Sequence, residues 1–569
     1  MQPPHLAHWP SHLPQSITVP ATALPDNLET SARRYPDKAA LVFFGRAMPY
    51  RELAHTAERL AAYLHSVGVR QGDRVILLMQ NLPQLVAAHF AILRANAVVV
   101  PVNPMNLAEE LKHYITDGEV KVAIASADLG AELAKASNAL PPGQRLDHLL
   151  VTQPGEYLPP PGQGDAIPAA WQAWLTTPQP LPALDGGSTA TWQDALACTA
   201  PVPPLTVGPQ DLSVLPYTSG TTGLPKGCMH THRSAMSTLV GGVQWFARTQ
   251  DSTYLAVLPL FHVTGLSGSM NGPLFVGATV VVLPRWDRDA AAQLIQRYRV
   301  TIWQAISTMV VDFLANPRIA DYDISSIQAI RGGGAAMPKA VAQQLKDLTG
   351  LDYVEGYGMT ETMAATHINP PHRPKPQCLG IPVFDVDARV VDPATFAELP
   401  PGEIGEIVVH GPQVMQGYWN NPQASADSFI TLDGKRFLRT GDLAQVDEDG
   451  YFFMVDRLKR MINASGFKVW PAEVEAMMYA HPAIQEVCVI AAHDERRGET
   501  VKALVVLRDA FKGQVSGQSI IDWSHDHMAA YKSPRIVQLV DSLPKSGTGK
   551  VQWRELQEQE RSRTANATP

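Results

Sequence analysis

The stretch YTSGTTGLPKG, residues 217–227, is the one from which the rest of the chain is read. Its eleven residues hold three glycines, four Ser/Thr hydroxyls and one lysine, Lys226. Glycine lets a backbone approach a ligand and turn through conformations closed to other residues, so amides and hydroxyls can converge on an anion beside the lysine charge. That is a cradle for a polyphosphate. The nucleotide loop G-x-x-x-x-G-K-[ST] is excluded, because the stretch has no Gly-Lys pair and Gly227 follows Lys226. A solvated Ser/Thr/Gly turn between strands is the alternative that spacing alone leaves open.

The 569 residues are too many for one ordinary core. A hydrophobic content of 45% with 18% charged residues is that of a folded globular chain. The net charge of -8, with no Lys/Arg run, argues against nucleic acid as a partner. Cys198, Cys228, Cys378 and Cys488 have no paired spacing, which excludes a CxxC site and fits a reducing compartment. The beginning, MQPPHLAHWPSHLPQ, lacks the basic start and apolar core of a secretory signal. No uncharged apolar run reaches the ~18 residues of a membrane span, and the final TANATP is not a peroxisomal address. The expected location is the cytoplasm.

Taken in order, 50–69 repeats apolar residues at helical spacing and closes at Gly68; 75–79 reads as a buried strand, 82–95 as a helix and AVVVPVNP as another strand. This alternation predicts helices packed on a mostly parallel sheet. The proline- and glycine-rich stretch 154–209 reads as a long surface excursion within a domain. A helix then precedes LPLFHVTGL, in which His262 stands between an apolar strand and a glycine turn, a place where a lone histidine is more often structural. A second glycine cluster, IRGGGAAMP, and then EGYGMTE at 355–361 follow predicted strands; the latter offers an exposed tyrosine ring, a hydroxyl and a carboxylate of the kind that a hard cation takes with phosphates. Beyond Asp385 short strands with Gly-Asp and Asp-Gly turns predict antiparallel hairpins, and from about Val469 a compact α+β unit ends in PKSGTGK. Lys550 in that last loop fails the nucleotide-loop pattern, since Pro544 and Val551 stand at two required positions, and a lysine on such a loop is ordinarily solvated.

Together YTSGTTGLPKG, GYGMTE, RTGDL and PKSGTGK closely resemble the superfamily of adenylate-forming enzymes: acyl-CoA synthetases, peptide-synthetase adenylation domains and beetle luciferases. The resemblance runs over nearly the whole chain, in order, and VDRLKRMINASGFKVWPAEVE looks most like the medium- and long-chain fatty-acid CoA ligases. It implies an α/β fold: a large amino-terminal AMP-binding domain, 1–456, of mixed and parallel sheets flanked by helices plus a distorted antiparallel barrel; a hinge at 457–460; and a small mobile α+β carboxy-terminal domain, 461–569. It further implies ATP, a carboxylic acid and coenzyme A as substrates, with Mg2+, and is compatible with a homodimer.

By that resemblance Thr218, Ser219, Gly220, Thr221, Thr222, Gly223 and Lys226 hold the β- and γ-phosphates, with Thr218 and Glu361 at Mg2+. Tyr357 stacks near adenine in a pocket lined by Gly333, Gly334, Glu355 and Gly356, and Thr360 contacts the α-phosphate. Asp442 accepts the ribose hydroxyls and Arg457 contacts the ribose. Lys550 bridges the carboxylate and the α-phosphate during adenylation; a swing about Asp456 and Lys459 then withdraws it and presents Ser465, Gly466 and Lys468 for thioester formation. His262 lies between the acyl and thiol channels.

Amino-acid-activating relatives carry an aspartate where this chain has His262, so LPLFHVTG points to a plain carboxylic acid, whose lack of an α-ammonium leaves no charge uncompensated. Val263, Thr264, Leu266, Trp303 and Met359 are the acyl-pocket candidates. The aromatic gate of some long-chain relatives is replaced by Val-Thr-Gly-Leu, which leaves aryl and branched acids open beside fatty acids. About nineteen residues follow Lys550, so free coenzyme A is the expected acceptor, another thiol the alternative. A luciferase-type oxygenase shares the adenylation step, but no residue here favours it. A nucleotide-binding pseudoenzyme is disfavoured, because Lys226, Glu361, Asp442 and Lys550 are all present.

Overall fold

The computed structural model describes residues 3–218, 224–334, 336–464, 467–494, 498–545 and 551–567. The chain divides into two compact units, Met1–Asp387 with Val409–Leu438, and Ala388–Val408 with Arg439–Pro569.

In the first unit a seven-stranded sheet runs in the order His230–Thr231, Leu212–Val214, Val98–Pro101, Arg74–Leu78, Val122–Ser126, His148–Thr152, Ser188–Thr191. All its pairings after the first are parallel. Successive side chains of a strand point to opposite faces, and here each face has its own core. Val75, Leu77, Val99 and Ile124 face a core shared with helices Tyr50–Ser66 and Pro83–Arg94, whereas Ile76, Leu78, Val98 and Ala123 face helices Ala108–Asp117 and Ala127–Asn138. Strands covered on both faces read as the continuous apolar runs seen in the sequence. Helix Pro83–Arg94 is buried from Pro83 to Leu93, which explains its almost wholly apolar composition.

The nine-stranded sheet is parallel in the middle and antiparallel at both ends. Its order is Ile381–Pro382, Ala364–Ile368, Tyr353–Met359, Ala329–Gly333, Ile302–Gln304, Thr253–Ala256, Thr279–Val282, Ala39–Phe43, Arg46–Pro49. Three neighbouring strands therefore bring together the three segments that the sequence singles out around residues 303, 333 and 357.

The stretch 154–209 is not all surface. Ser188–Thr191 adds the edge strand beside His148–Thr152, and Trp192 is fully buried, its Nε1–H donating to the Tyr157 hydroxyl at 3.2 Å. A four-residue polar strand carries no apolar run, and its signal is swamped by the prolines around it.

In the second unit an expected hairpin forms, residues 442–446 pairing antiparallel with Phe452–Arg457. The carboxy-terminal part has a sheet in which Gly498–Leu507 is antiparallel to Ile484–Asp494 and parallel to Ile536–Leu539. Helices Pro471–Met478 and Gly517–His527 cover a core of Ile462, Val474, Met478, Val489, Val505 and Ile520. A final helix, Trp553–Ala567, follows. The segment 457–460 lies inside this unit. Among the described residues no helix is long and apolar enough to cross a membrane.

Candidate active site

The two ends of the glycine-rich loop are pinned as a short antiparallel pair, Tyr217–Thr218 against Lys226–Gly227, with Lys226 opposite Thr218. Tyr217 donates its hydroxyl to Asp117 Oδ2 at 2.7 Å, and burial beside that carboxylate pushes the phenol far above its ordinary range. His113 Nε2 donates to the Pro225 carbonyl at 2.6 Å. Thus the loop is held from outside at both entry and exit.

Lys226 Nζ lies 4.2 Å from the centroid of the Tyr418 ring, and the Tyr418 hydroxyl donates to Glu361 Oε1 at 2.8 Å. The Glu361 residue is 8% exposed. The backbone fixes this line of groups: Trp419 N–H donates to the Gly227 carbonyl at 2.8 Å, and Met415 N–H to the Glu361 carbonyl at 2.8 Å. Cation, ring face, hydroxyl and carboxylate are thereby held in sequence, with the positive and negative ends kept apart by the ring. His230 Nε2 donates to the Thr360 carbonyl at 2.7 Å; burial lowers its pKa to about 4, so a neutral imidazole orients the turn Thr360–Thr362. Cys228 is fully buried and its thiol is pushed well up by burial, which makes it a poor nucleophile.

Gly333 and Gly356 are partners in register between two parallel strands. A Cβ at Gly333 would fall 2.2 Å from the Gly356 carbonyl oxygen, so glycine is obligatory there. Gly334 has φ +86°, in the left-handed region that favours glycine. Glu355 is buried; its carboxylate accepts the Met337 N–H at 2.7 Å and the Cys378 N–H. Burial outweighs these two donors and raises its pKa to about 7. The Tyr357 ring lies 5.7 Å from that of His367, a fully buried imidazole whose pKa is lowered to about 3.

His262 caps the one-turn helix Val263–Gly265, its Nδ1 accepting the Thr264 N–H at 3.3 Å. Val263 and Leu266 are buried, and Thr264 and Met359 are partly open. Trp303 is fully buried and stacks on Trp286 at 5.7 Å.

In the second unit Asp442 is 3% exposed and its Oδ1 lies 3.0 Å from Arg457 Nε. The two are partners in register, so strand pairing sets the ion pair. Asp456 accepts the Arg457 N–H at 2.6 Å and, at 2.7 Å, the Ala472 N–H in the first turn of helix Pro471–Met478. Arg460 pairs with Glu475 of the same helix and lies 3.9 Å from Asp456. Residues 467–469, including the backbone of Lys468, form a strand against Ile462–Ala464.

Ser219, Gly220, Thr221, Thr222, Gly223, Ser465, Gly466 and Lys550 lie outside the described residues, as do the side chains of Lys459 and Lys468. Among the described residues no cluster of three or more His, Cys, Asp or Glu side chains could hold a metal by itself. One carboxylate and one hydroxyl, Glu361 and Thr218, nevertheless fit Mg2+, which keeps waters and takes its other oxygens from phosphates. Sequence reasoning misses Tyr418 and His230. The one available signal for Tyr418 is an aromatic pair within QGYWNNP, a turn-rich run where a Tyr-Trp pair has no amphipathic pattern to satisfy.

The model of the AMP-binding enzyme family matches residues 28–419, and that of the AMP-binding enzyme C-terminal domain matches 473–550. The chain is 34% identical over 568 residues to a long-chain-fatty-acid–CoA ligase of Bacillus subtilis, covering 98% of each. It is 35% identical over 526 residues to a feruloyl-CoA synthase of Amycolatopsis, covering 91% of this chain and 95% of that one. Its fold superposes on the anthranilate CoA ligase AuaEII in complex with anthranoyl-AMP with a TM-score of 0.80, at 27% identity over 98% and 99% of the two chains. With both family domains present in order, the chain belongs to the AMP-binding enzyme family, as an AMP-forming acid–thiol ligase that makes acyl-CoA through an acyl-AMP intermediate.

Proposed function

We propose that the chain activates a medium- or long-chain fatty acid with ATP and transfers the acyl group to coenzyme A, and that the residues assigned from the sequence do this work. The observation that carries the assignment is the line Lys226–Tyr418–Glu361 beside the strands that pin the phosphate loop. A carboxylate is a poor nucleophile and the α-phosphate it attacks is also anionic, so cations must offset the repulsion where water is largely excluded. Lys226 supplies one charge at the outer phosphates. The Thr218 hydroxyl and the Glu361 carboxylate would hold Mg2+, which would supply further positive charge at the phosphates. Thr360, fixed through His230, meets the α-phosphate; Glu355, Gly356 and Tyr357 receive the adenine; Asp442, held by Arg457, receives the ribose.

Lys550 neutralises the reacting carboxylate and phosphate, then leaves so that the thiol can enter, the carboxy-terminal domain turning about 457–460 with Lys459 as pivot and Lys468 brought toward the thioester step. The feruloyl and anthranilate ligases among its relatives favour an aryl acid as the second reading. Lys550→Ala tests the two-state assignment. It should lose adenylate formation by roughly a hundred- to thousandfold, ~3 to 4 kcal/mol, while still forming thioester from supplied acyl-AMP. Equal loss in both half-reactions, measured by mass spectrometry of acyl-AMP and acyl-CoA, refutes it.

A further inference from the structure

Arg331 stands in the strand Ala329–Gly333 next to Ile330, which is buried in the main core, so the arginine points to the opposite face of the sheet. It is 9% exposed. One terminal nitrogen donates to the Gly268 carbonyl at 3.2 Å, and its Nε is buried with no hydrogen-bond partner. A second guanidinium, that of Arg248, approaches the same ring: their Cζ atoms lie 4.4 and 5.3 Å from the Phe246 centroid. The Arg248 Nε is also buried and unpartnered. Among the described residues no carboxylate pairs with either group, and each cation feels burial together with the hydroxyl of Tyr254, Arg248 also the repulsion of Arg331.

Buried arginines are ordinarily paired, and an aromatic face offsets only part of what desolvating a guanidinium costs. Two like charges on one ring make the deficit larger. Among the described residues this place lacks an anion. Its position indicates which one: Gln304 is the register neighbour of Arg331 on the adjacent strand, and Gly268 belongs to the turn Leu266–Asn271 that follows His262. A Cβ at Gly268 would fall 2.3 Å from Gln304 Oε1, so turn and amide are in close approach. Gly333, two residues along on the same face as Arg331, is the register partner of Gly356, next to Tyr357.

Resting on the acid-activating function proposed above and narrowing its fatty acid to one that carries a second carboxylate, we infer that Arg331, beside Gln304, is the specificity-determining residue for the acid: it pairs with that second carboxylate at the far end of the substrate, so that dicarboxylic acids are activated in preference to monocarboxylic acids of the same length. An Arg fork matches a carboxylate with two parallel N–H donors, and the Gln304 amide can add a third.

The test measures acid-dependent pyrophosphate release by the full chain with ATP and Mg2+, for hexanedioic against hexanoic acid and decanedioic against decanoic acid. The expected result is a kcat/KM at least tenfold higher for the dicarboxylate in one pair or both. Arg331→Met should then cut that ratio tenfold or more, mainly through KM, and Arg331→Lys should restore part of it. A wild-type preference for the monocarboxylate in both pairs overturns the inference without needing a variant, and so does an unchanged ratio in a folded Arg331→Met. Absence of release with every acid overturns the ligase reading itself, which sets that failure apart from this one.

Discussion

Glu355→Gln separates what burial does to a carboxyl from what its hydrogen bonds do. The folded pKa of Glu355 is about 7 against 4.5 for an ordinary glutamate, because burial outweighs the N–H groups of Met337 and Cys378. Between those two pH values the folded chain keeps a proton that the unfolded chain has released, so stability falls as pH rises through the interval and is level above it. At ~1.4 kcal/mol per pH unit the fall comes to ~3 kcal/mol. The amide cannot titrate, but its NH2 can no longer accept from one of the two backbone donors, a loss of ~1 kcal/mol. The variant should therefore be less stable than the parent by ~1 kcal/mol at pH 4.5 and more stable by ~2 kcal/mol at pH 8, with the two curves crossing between. For a unit of about four hundred residues the unfolding entropy near the midpoint is ~0.8 kcal/mol/K, so the relative shift is ~4 °C in melting temperature. Calorimetry at pH 4.5, 6, 7 and 8 reads it directly, and every other titrating group cancels in the difference. A constant difference at all four pH values refutes the reasoning.

Tyr418→Phe removes the hydroxyl that donates to Glu361 and keeps the ring beside Lys226; a hydrogen bond to a charged group is worth ~1.5–3 kcal/mol, so kcat/KM for ATP in pyrophosphate release should drop roughly ten- to hundredfold. Tyr418→Leu also removes the ring face and should lose a further ~1–2 kcal/mol; identical rates for the two variants would mean that the ring does not hold the lysine.

How legible each part was follows from how local its cause is. The glycine-rich stretch 217–227, the glycines 333 and 356 and the RTGDL aspartate each stand in a short local motif, and at Gly333 the close approach of the Gly356 carbonyl demands glycine. The helix and strand alternation was equally plain, since strands buried on both faces are apolar throughout. Tyr418 was not legible: it meets Glu361 across 57 positions of sequence through packing that no spacing encodes. His230 looked like one of several histidines in MHTHR until the fold set it under Thr360. The edge strand Ser188–Thr191 was hidden for the opposite reason, its four residues, three of them polar, being too short a signal among prolines. Arg331 was visible as a residue but not as an anomaly, because only the fold shows it buried with no carboxylate paired to it among the described residues.

The segment 456–460 carries a constraint of its own. The backbone of Asp456 belongs to the antiparallel sheet, paired with Leu443, while its side chain accepts the Ala472 N–H in the first turn of helix Pro471–Met478. Arg460, on the other side of Lys459, is tied to Glu475 of the same helix. A turn of the carboxy-terminal domain about 457–460 therefore leaves Arg460 with its helix but must break or remake the bond from Asp456 to Ala472. That bond satisfies an otherwise orphaned helix N–H and places a negative charge at the positive end of the helix. Arg457 is similarly committed, its side chain to Asp442 and its N–H to Asp456. The swing proposed about Lys459 would therefore exchange specific charge-assisted bonds instead of bending a slack linker. Such an exchange favours two discrete arrangements over a continuum, which is what alternation between adenylation and thioester formation requires.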